Sequence, residues 1–214
     1  MRIACLHTAD SNKNVFEAAQ QQLGHPDVTL SHEVRSDLLA AAARAGGLTP
    51  EIARATGEVL LELGTNADAV LLTCSTLGPS IDGVVARARV PVLRVDDALA
   101  REATREGGRV VVLCTAETTL GPTRDLFERA GRTTGAEIDV RLVDGAWSAF
   151  QAGDADSYFS MIADAAEQAM RAGATTVVLA QASMAGAAKL CKSAKAPLAS
   201  PLVGLEAAVR LAGG

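Results

Sequence analysis

The stretch RIACLHTADS (residues 2–11) recurs in altered form as RVVVLCTAET (residues 109–118). Arginine, leucine, threonine and alanine coincide, and the remaining exchanges include isoleucine for valine, aspartate for glutamate and serine for threonine. A second pair of segments, VLLTCSTLG (70–78) and VVLAQASMA (177–185), is separated by the same offset along the chain. Repeats at a fixed spacing mark a repeated structural unit. We therefore predict that the chain consists of two similar halves.

Short β-branched runs alternate with longer alanine-rich stretches of helical period, which predicts alternating strands and helices. Strands are predicted at 2–6, 28–34, 69–73, 91–95, 109–114, 138–143, 176–180 and 197–199. Helices are predicted at 14–23, 50–63, 81–88, 97–106, 119–130, 157–172, 185–193 and 202–211. Continuous apolar strands between helices are typical of parallel sheets covered on both faces. The predicted fold class is α/β, with two pseudo-symmetric three-layer domains and mainly parallel sheets.

Composition excludes several classes of function. The formal net charge is −5 and no basic tract is present, so nucleic acid is not an expected partner. No apolar stretch is long enough for a membrane span, and the apolar start is too short for a signal peptide, so we expect a cytoplasmic protein without a membrane partner. The four cysteines lie far apart without metal-ligand spacing, and no phosphate or dinucleotide loop is present. We expect neither a metal nor a cofactor.

The most informative segment is Thr73-Cys74-Ser75-Thr76, which follows an apolar strand and precedes Gly78-Pro79. Backbone N–H groups at such a strand-to-helix turn favour anions and lower the pKa of a thiol. The segment thus predicts a reactive Cys74 beside a carboxylate-binding turn that includes Ser75 and Thr76. The alternative is a small buried cysteine beside helix-capping hydroxyls.

The matching turn of the second half contains Thr115 and Thr118, whose hydroxyls could bind a carboxylate or simply cap the following helix. The other two strand ends carry His7-Thr8 in the first half and Gln181 with Ser183 in the second. His7 could orient substrate, donate a proton or only close its strand. Ligands of open α/β sheets bind at the carboxyl ends of strands. We therefore expect the four strand ends to meet in one cleft between the halves.

These motifs, in this order and spacing, resemble the aspartate/glutamate racemase superfamily, which includes hydantoin racemases, maleate isomerase and arylmalonate decarboxylase. The resemblance covers nearly the whole chain and places Cys74 at the family's first catalytic cysteine. It implies a cofactor-independent racemase or isomerase that acts at the carbon next to the carboxylate of a small acid. Cys74 would then be the acid/base or the nucleophile. The resemblance also implies that the last helix returns to the first half. The first domain then contains residues 1–98 and 203–214, and the second contains residues 99–202. By the same resemblance a homodimer is plausible.

The sequence departs from the family pattern at Gln181, where the racemases carry a second cysteine. A carboxamide cannot exchange a proton at neutral pH, so a symmetric mechanism with two thiols does not apply. Three hypotheses follow. In the first, Cys74 works with a different group such as His7 or Cys114, and the enzyme is a racemase or isomerase. In the second, Cys74 acts alone in a decarboxylase or in a cis-trans isomerase of a small dicarboxylate. In the third, the protein only binds a small acid.

Overall fold

The computed structural model describes residues 1–213 and contains eight strands and eight α-helices. The strands are β1 (Arg2–His7), β2 (Thr29–Val34), β3 (Ala69–Leu72), β4 (Val92–Arg94), β5 (Arg109–Cys114), β6 (Glu137–Leu142), β7 (Thr176–Leu179) and β8 (Leu198–Ala199). The helices are α1 (Asn12–Gln22), α2 (Ser36–Ala45), α3 (Pro50–Leu63), α4 (Val95–Thr104), α5 (Glu117–Gly131), α6 (Ala146–Gln151), α7 (Ala155–Arg171) and α8 (Ser200–Ala212). Two 3₁₀ helices, Gly78–Gly83 and Ala182–Lys189, follow β3 and β7.

The strands form two four-stranded parallel sheets with the same order, β2-β1-β3-β4 and β6-β5-β7-β8. The central pairs also share their register, because Ile3 pairs with Ala69 in the first sheet and Val110 with Thr176 in the second. Both members of the second pair follow those of the first by the offset that separates the repeated sequence segments. The predicted duplication and the α/β fold class are thereby confirmed.

The chain divides into two compact units. The first contains Met1–Ala98 and the C-terminal segment from Pro201, and the second contains Leu99–Ser200. No helix within residues 1–213 has both the length and the apolar composition that a membrane crossing requires.

Alternate residues of the central strands are buried on opposite faces of each sheet. In the second unit, Val111 and Leu113 of β5 pack with α7, whereas Val110 and Val112 pack with α5. In the first unit, Leu6 and the matching positions of β3 pack against α2 and α3. Burial on both faces explains why these strands are continuous apolar runs rather than alternating ones.

The sequence prediction missed two helices and misjudged two others. The two missed helices are α2, which lacks a capping side chain but is rich in alanine and ends at Gly46, and α6, which has only six residues. The segments predicted as helices at 81–88 and 185–193 are instead 3₁₀ helices that begin three residues earlier, at Gly78 and Ala182.

Candidate active site

Cys74 lies in the turn between β3 and the 3₁₀ helix Gly78–Gly83. The ladder continues one residue past β3, since the N–H of Thr73 donates to the carbonyl of Leu6 at 3.0 Å. Ser75 and Thr76 are buried, while Cys74 remains partly exposed. The turn therefore leaves Cys74 less buried than its two hydroxyl neighbours.

Three donors converge on the sulfur of Cys74: the hydroxyl of Thr8 and the backbone N–H groups of Thr76 and Leu77. Desolvation of the thiol raises its pKa, and these three hydrogen bonds lower it, while the charge of Asp96 raises it again. The net result is a pKa above the ordinary value of 9.0. The sequence-based expectation of a lowered thiol pKa was wrong, because burial outweighs the donors of the turn. At neutral pH the resting Cys74 is a protonated thiol.

Thr8 and His7 point to different surroundings, as consecutive residues at the end of a strand do. Thr8 reaches the sulfur of Cys74, whereas the Nδ1 of His7 lies 2.8 Å from the hydroxyl of Thr73 and its Nε2 lies 2.8 Å from the Nδ1 of His32. His7 is fully buried, and burial, followed by the charge of His32, lowers its pKa from 6.5 to about 3. His7 is thus a neutral ring whose two nitrogens are both engaged by other side chains.

A buried ion pair that sequence reasoning missed lies beside this turn. Arg94, at the end of β4, donates to both oxygens of Asp96 at 2.9 and 2.8 Å, and both side chains are less than one tenth exposed. Gly78 accommodates the guanidinium, since a Cβ on that residue would lie 2.6 Å from its Cζ. Burial lowers the pKa of Arg94, but the hydrogen bonds and charge of Asp96 raise it by more. The only signal in the sequence was a charged pair at the end of an apolar strand.

The second unit carries a matching pair in its own turn. The side-chain oxygen of Gln181 accepts from the backbone N–H of Thr115 at 2.6 Å and from the Thr115 hydroxyl at 2.9 Å. In the sequence repeat, Thr115 is the equivalent of Thr8, and Gln181 is the equivalent of Cys74. In each unit, therefore, a threonine that follows the first central strand donates its hydroxyl to a side chain two residues past the end of the second central strand. The pairs are Thr8 with Cys74 and Thr115 with Gln181.

Tyr158 of α7 completes the second turn and was not foreseen from the sequence. Its hydroxyl lies 2.8 Å from that of Ser183 and also bonds to the side chain of Thr115. Burial raises the pKa of Tyr158, so the phenol stays neutral. Its place on the buried face of an amphipathic helix was the one available signal. Thr118, predicted with this group, is partly buried at the start of α5.

Three potential metal ligands come together in the first unit, although the sequence showed no recognised ligand spacing. One ligand atom from each of Cys5, His7 and His32 lies within 4.8 Å of the others. Cys5 and His7 are two residues apart on one face of β1, and Cys5 and His32 are paired in the β1–β2 ladder.

Comparison with known proteins gives a consistent result. The family described as Asp/Glu/Hydantoin racemase matches residues 8–212. No curated protein sequence matches the chain.

Three solved structures illustrate the structural similarity. An allantoin racemase from Pseudomonas fluorescens is 18% identical with a TM-score of 0.71, and the match covers 99% of this chain and 90% of that one. An aspartate racemase from Picrophilus torridus is 14% identical with a TM-score of 0.74, covering 99% and 94%. A glutamate racemase from Bacillus anthracis is 15% identical with a TM-score of 0.71, covering 98% and 80%. At these identities the similarity establishes the fold.

Proposed function

Since the chain belongs to the Asp/Glu/hydantoin racemase family and is an enzyme of the isomerase class, we propose that it acts on a small acid. The reaction takes place at the carbon next to the carboxylate, and Cys74 is the acid/base. The observation that carries this proposal is the environment of the thiol. Cys74 is partly exposed, its pKa is raised, and three donors face its sulfur. A group of this kind can give up a proton and then be stabilised in its charged form.

The direction of proton transfer follows from the pKa. At rest Cys74 is a thiol and therefore a proton donor. In a decarboxylation it protonates the enolate that loss of CO₂ leaves, whereas in a racemisation its thiolate form first takes the α-proton and the resulting thiol then returns a proton to the carbanion. The thiolate that results is stabilised by the hydroxyl of Thr8 and the N–H groups of Thr76 and Leu77, since hydrogen bonds to the charged form favour it. The same turn therefore supplies the proton and holds the charge that its departure leaves.

Substrate binding is assigned to the remaining polar residues of the strand ends. The proposed binding residues are Thr8, Ser75, Thr76, Thr115, Thr118, Gln181 and Ser183. His7 is assigned a positioning role instead, because its nitrogens are occupied by Thr73 and His32. The Gln181 oxygen is fixed by Thr115, which leaves the amide NH₂ as the part of that side chain able to donate to a substrate oxygen. That both sets of residues meet one substrate stays a prediction.

A second candidate is protonation from one side only, as in a decarboxylase. Gln181 at the position that matches Cys74 favours it, because an amide cannot remove or deliver a proton. Loss of CO₂ would leave an enolate that Cys74 alone protonates. A cis-trans isomerisation through covalent attack is disfavoured, because attack needs the thiolate and the pKa of Cys74 is raised.

The test is incubation in D₂O with a panel of acids, followed by NMR and chiral chromatography. The panel contains both enantiomers of aspartate and glutamate, allantoin, maleate and substituted malonates. Deuterium at the carbon next to the carboxylate together with inversion supports the racemase proposal. Release of CO₂ with incorporation of one deuterium supports the second candidate.

The matched control is Cys191→Ser, because Cys191 is the other partly exposed cysteine. We expect Cys74→Ser to abolish exchange and Cys191→Ser to retain it. Exchange that survives in Cys74→Ser would overturn the assignment of the acid/base.

A further inference from the structure

The cluster of Cys5, His7 and His32 lies on one face of the first sheet. In the proposed reaction only His7 of the three has a role, and that role is to position its neighbours rather than to contact the substrate. Strand alternation places Cys5 and His7 on the same side of β1, and the parallel pairing places His32 opposite Cys5. Two of the three ligands are fully buried, and His32 is partly buried. The backbone of two adjacent strands therefore fixes all three side chains.

The two rings face each other through one nitrogen each, and the other nitrogen of each ring is held by an oxygen. The Nε2 of His7 and the Nδ1 of His32 are 2.8 Å apart. The Nδ1 of His7 lies 2.8 Å from the hydroxyl of Thr73, which itself donates to the carbonyl of Leu6. The Nε2 of His32 lies 2.9 Å from a carboxylate oxygen of Glu17.

This is the arrangement that metal-binding histidines require. Such a histidine usually donates its distal N–H to a carboxylate, carbonyl or other oxygen, which fixes the tautomer and the ring orientation. Here the Thr73 hydroxyl gives its own proton to Leu6, so it accepts from His7. The His7 Nε2 then has its lone pair directed at His32. Outer partners are thus in place for both rings.

We propose that Cys5, His7 and His32 form a binding site for a divalent zinc-like cation, with Glu17 and Thr73 as the outer partners of the two histidines. One thiolate and two imidazoles are the ligands that Zn²⁺ prefers. Tetrahedral bonds of 2.0–2.1 Å to nitrogen place two such nitrogens about 3.3 Å apart. The two nitrogens therefore need to separate by roughly 0.5 Å, and the Cys5 sulfur, now within 4.8 Å of them, needs to lie about 3.5 Å from each. His32 is partly exposed on the edge strand β2 and can make most of this adjustment.

Binding replaces protons by the metal. The thiol proton of Cys5 and the proton between the facing nitrogens leave, while the distal N–H groups keep their acceptors. The ring of Phe16, 5.2 Å from that of His7, lines the site with apolar surface. Since Thr8 follows His7 directly, a bound cation would also fix the strand end that holds Cys74.

The experiment uses the full chain, stripped with a chelator and dialysed, then titrated with Zn²⁺ and separately with Co²⁺. We expect one Zn²⁺ per chain and, with Co²⁺, a sulfur-to-metal charge-transfer band. Cys5→Ala should abolish the band and His32→Gln should abolish stoichiometric binding. His32→Gln also guards against a misfolded Cys5→Ala, because position 32 is only partly buried.

Two controls separate this site from other thiols and from adventitious metal. Cys191→Ser and Cys74→Ser should leave the stoichiometry and the band unchanged. Glu17→Gln keeps all three ligands and should weaken Zn²⁺ binding by about 10- to 100-fold, the usual cost of losing an outer partner. Absence of saturable Zn²⁺ binding in the wild type, or binding that persists in both Cys5→Ala and His32→Gln, would overturn the proposal.

Discussion

The turn after β3 and the turn after β7 occupy equivalent places in the two units and share one hydrogen bond. Thr8 donates to Cys74 in the first turn, and Thr115 donates to Gln181 in the second. The threonine donor is the same in both turns, but the side chain that accepts its hydrogen bond differs. A thiol can exchange a proton, and a carboxamide can only donate and accept hydrogen bonds. The duplication thus supplies two equivalent turns, of which one carries a thiol and the other a carboxamide.

The largest change is expected in kcat/KM, when Cys74 and Gln181 are each replaced by alanine. Cys74→Ala should reduce kcat/KM by about 10³- to 10⁴-fold, because a positioned acid/base contributes up to that factor. Gln181→Ala removes only hydrogen bonds and should cost about 10-fold. The measurement is the rate of solvent deuterium exchange for both variants, with circular dichroism to check their folding. Equal losses in the two variants would remove the functional asymmetry.

The next effect concerns stability, because the first turn has a buried ion pair beside it. Asp96→Ala leaves Arg94 buried without its carboxylate partner and should lower the free energy of unfolding by about 3–5 kcal/mol. Urea denaturation gives this value. Asp139→Ala serves as a control, since that carboxylate pairs with Arg109 and Arg141 at a third or more exposure and should cost about 1 kcal/mol or less. Similar losses in both variants would show that burial of the Arg94 pair has no special role.

Much of the fold could be predicted from the sequence because its signals are local or repeated. All eight strands correspond to predicted strands, and the offset of the sequence repeat reappears in the register of the central strands. Helix α2 was missed although its signals are local: an alanine-rich stretch with Asp37 in its first turn ends at Gly46 in the left-handed region. Strand parity would have indicated that His7 and Thr8 point to different surroundings, a signal that was available and not used.

The site could be predicted only in part, because its electrostatics depend on tertiary burial. The sequence indicated Cys74 and its hydroxyl neighbours, but the direction of the thiol pKa depends on desolvation, which no local pattern encodes. The contacts of Tyr158 with Ser183 and Thr115 join residues that are distant in the chain. The grouping of Cys5 with His32 arises from pairing of β1 with β2, which the spacing of the two residues does not reveal.

A smaller effect is expected when the shared hydrogen bond is removed from each turn. Thr8→Val deletes the hydroxyl that faces the sulfur, so the pKa of Cys74 should rise further and kcat should fall by about 10-fold. Thr115→Val removes the hydroxyl bond to the Gln181 oxygen and leaves only the backbone N–H to hold it, so KM should rise by a few-fold. Steady-state kinetics distinguishes the two patterns. A kcat effect in Thr115→Val without a KM effect would contradict the orienting role of Gln181.

The smallest effect on stability is expected from making the two turns alike. Gln181→Cys places a thiol where Thr115 already directs its hydroxyl and N–H, so the free energy of unfolding should change by about 1 kcal/mol or less. In this variant the ratio of inverted product to deuterium exchange should rise, because both turns then carry a thiol that can act as an acid/base. Chiral chromatography and deuterium content, measured on the same samples, give this ratio. A misfolded variant would count against the equivalence of positions 74 and 181.

Cys74 should rest as a protonated thiol beside three hydrogen-bond donors. The pH dependence of its alkylation measures this protonation state. The rate of modification by iodoacetamide, followed at the Cys74 peptide by mass spectrometry, reports the thiolate fraction. We expect slow modification at pH 7 and a midpoint above the ordinary thiol value of 9.0. Rapid modification at pH 7 with a midpoint below that value would contradict it.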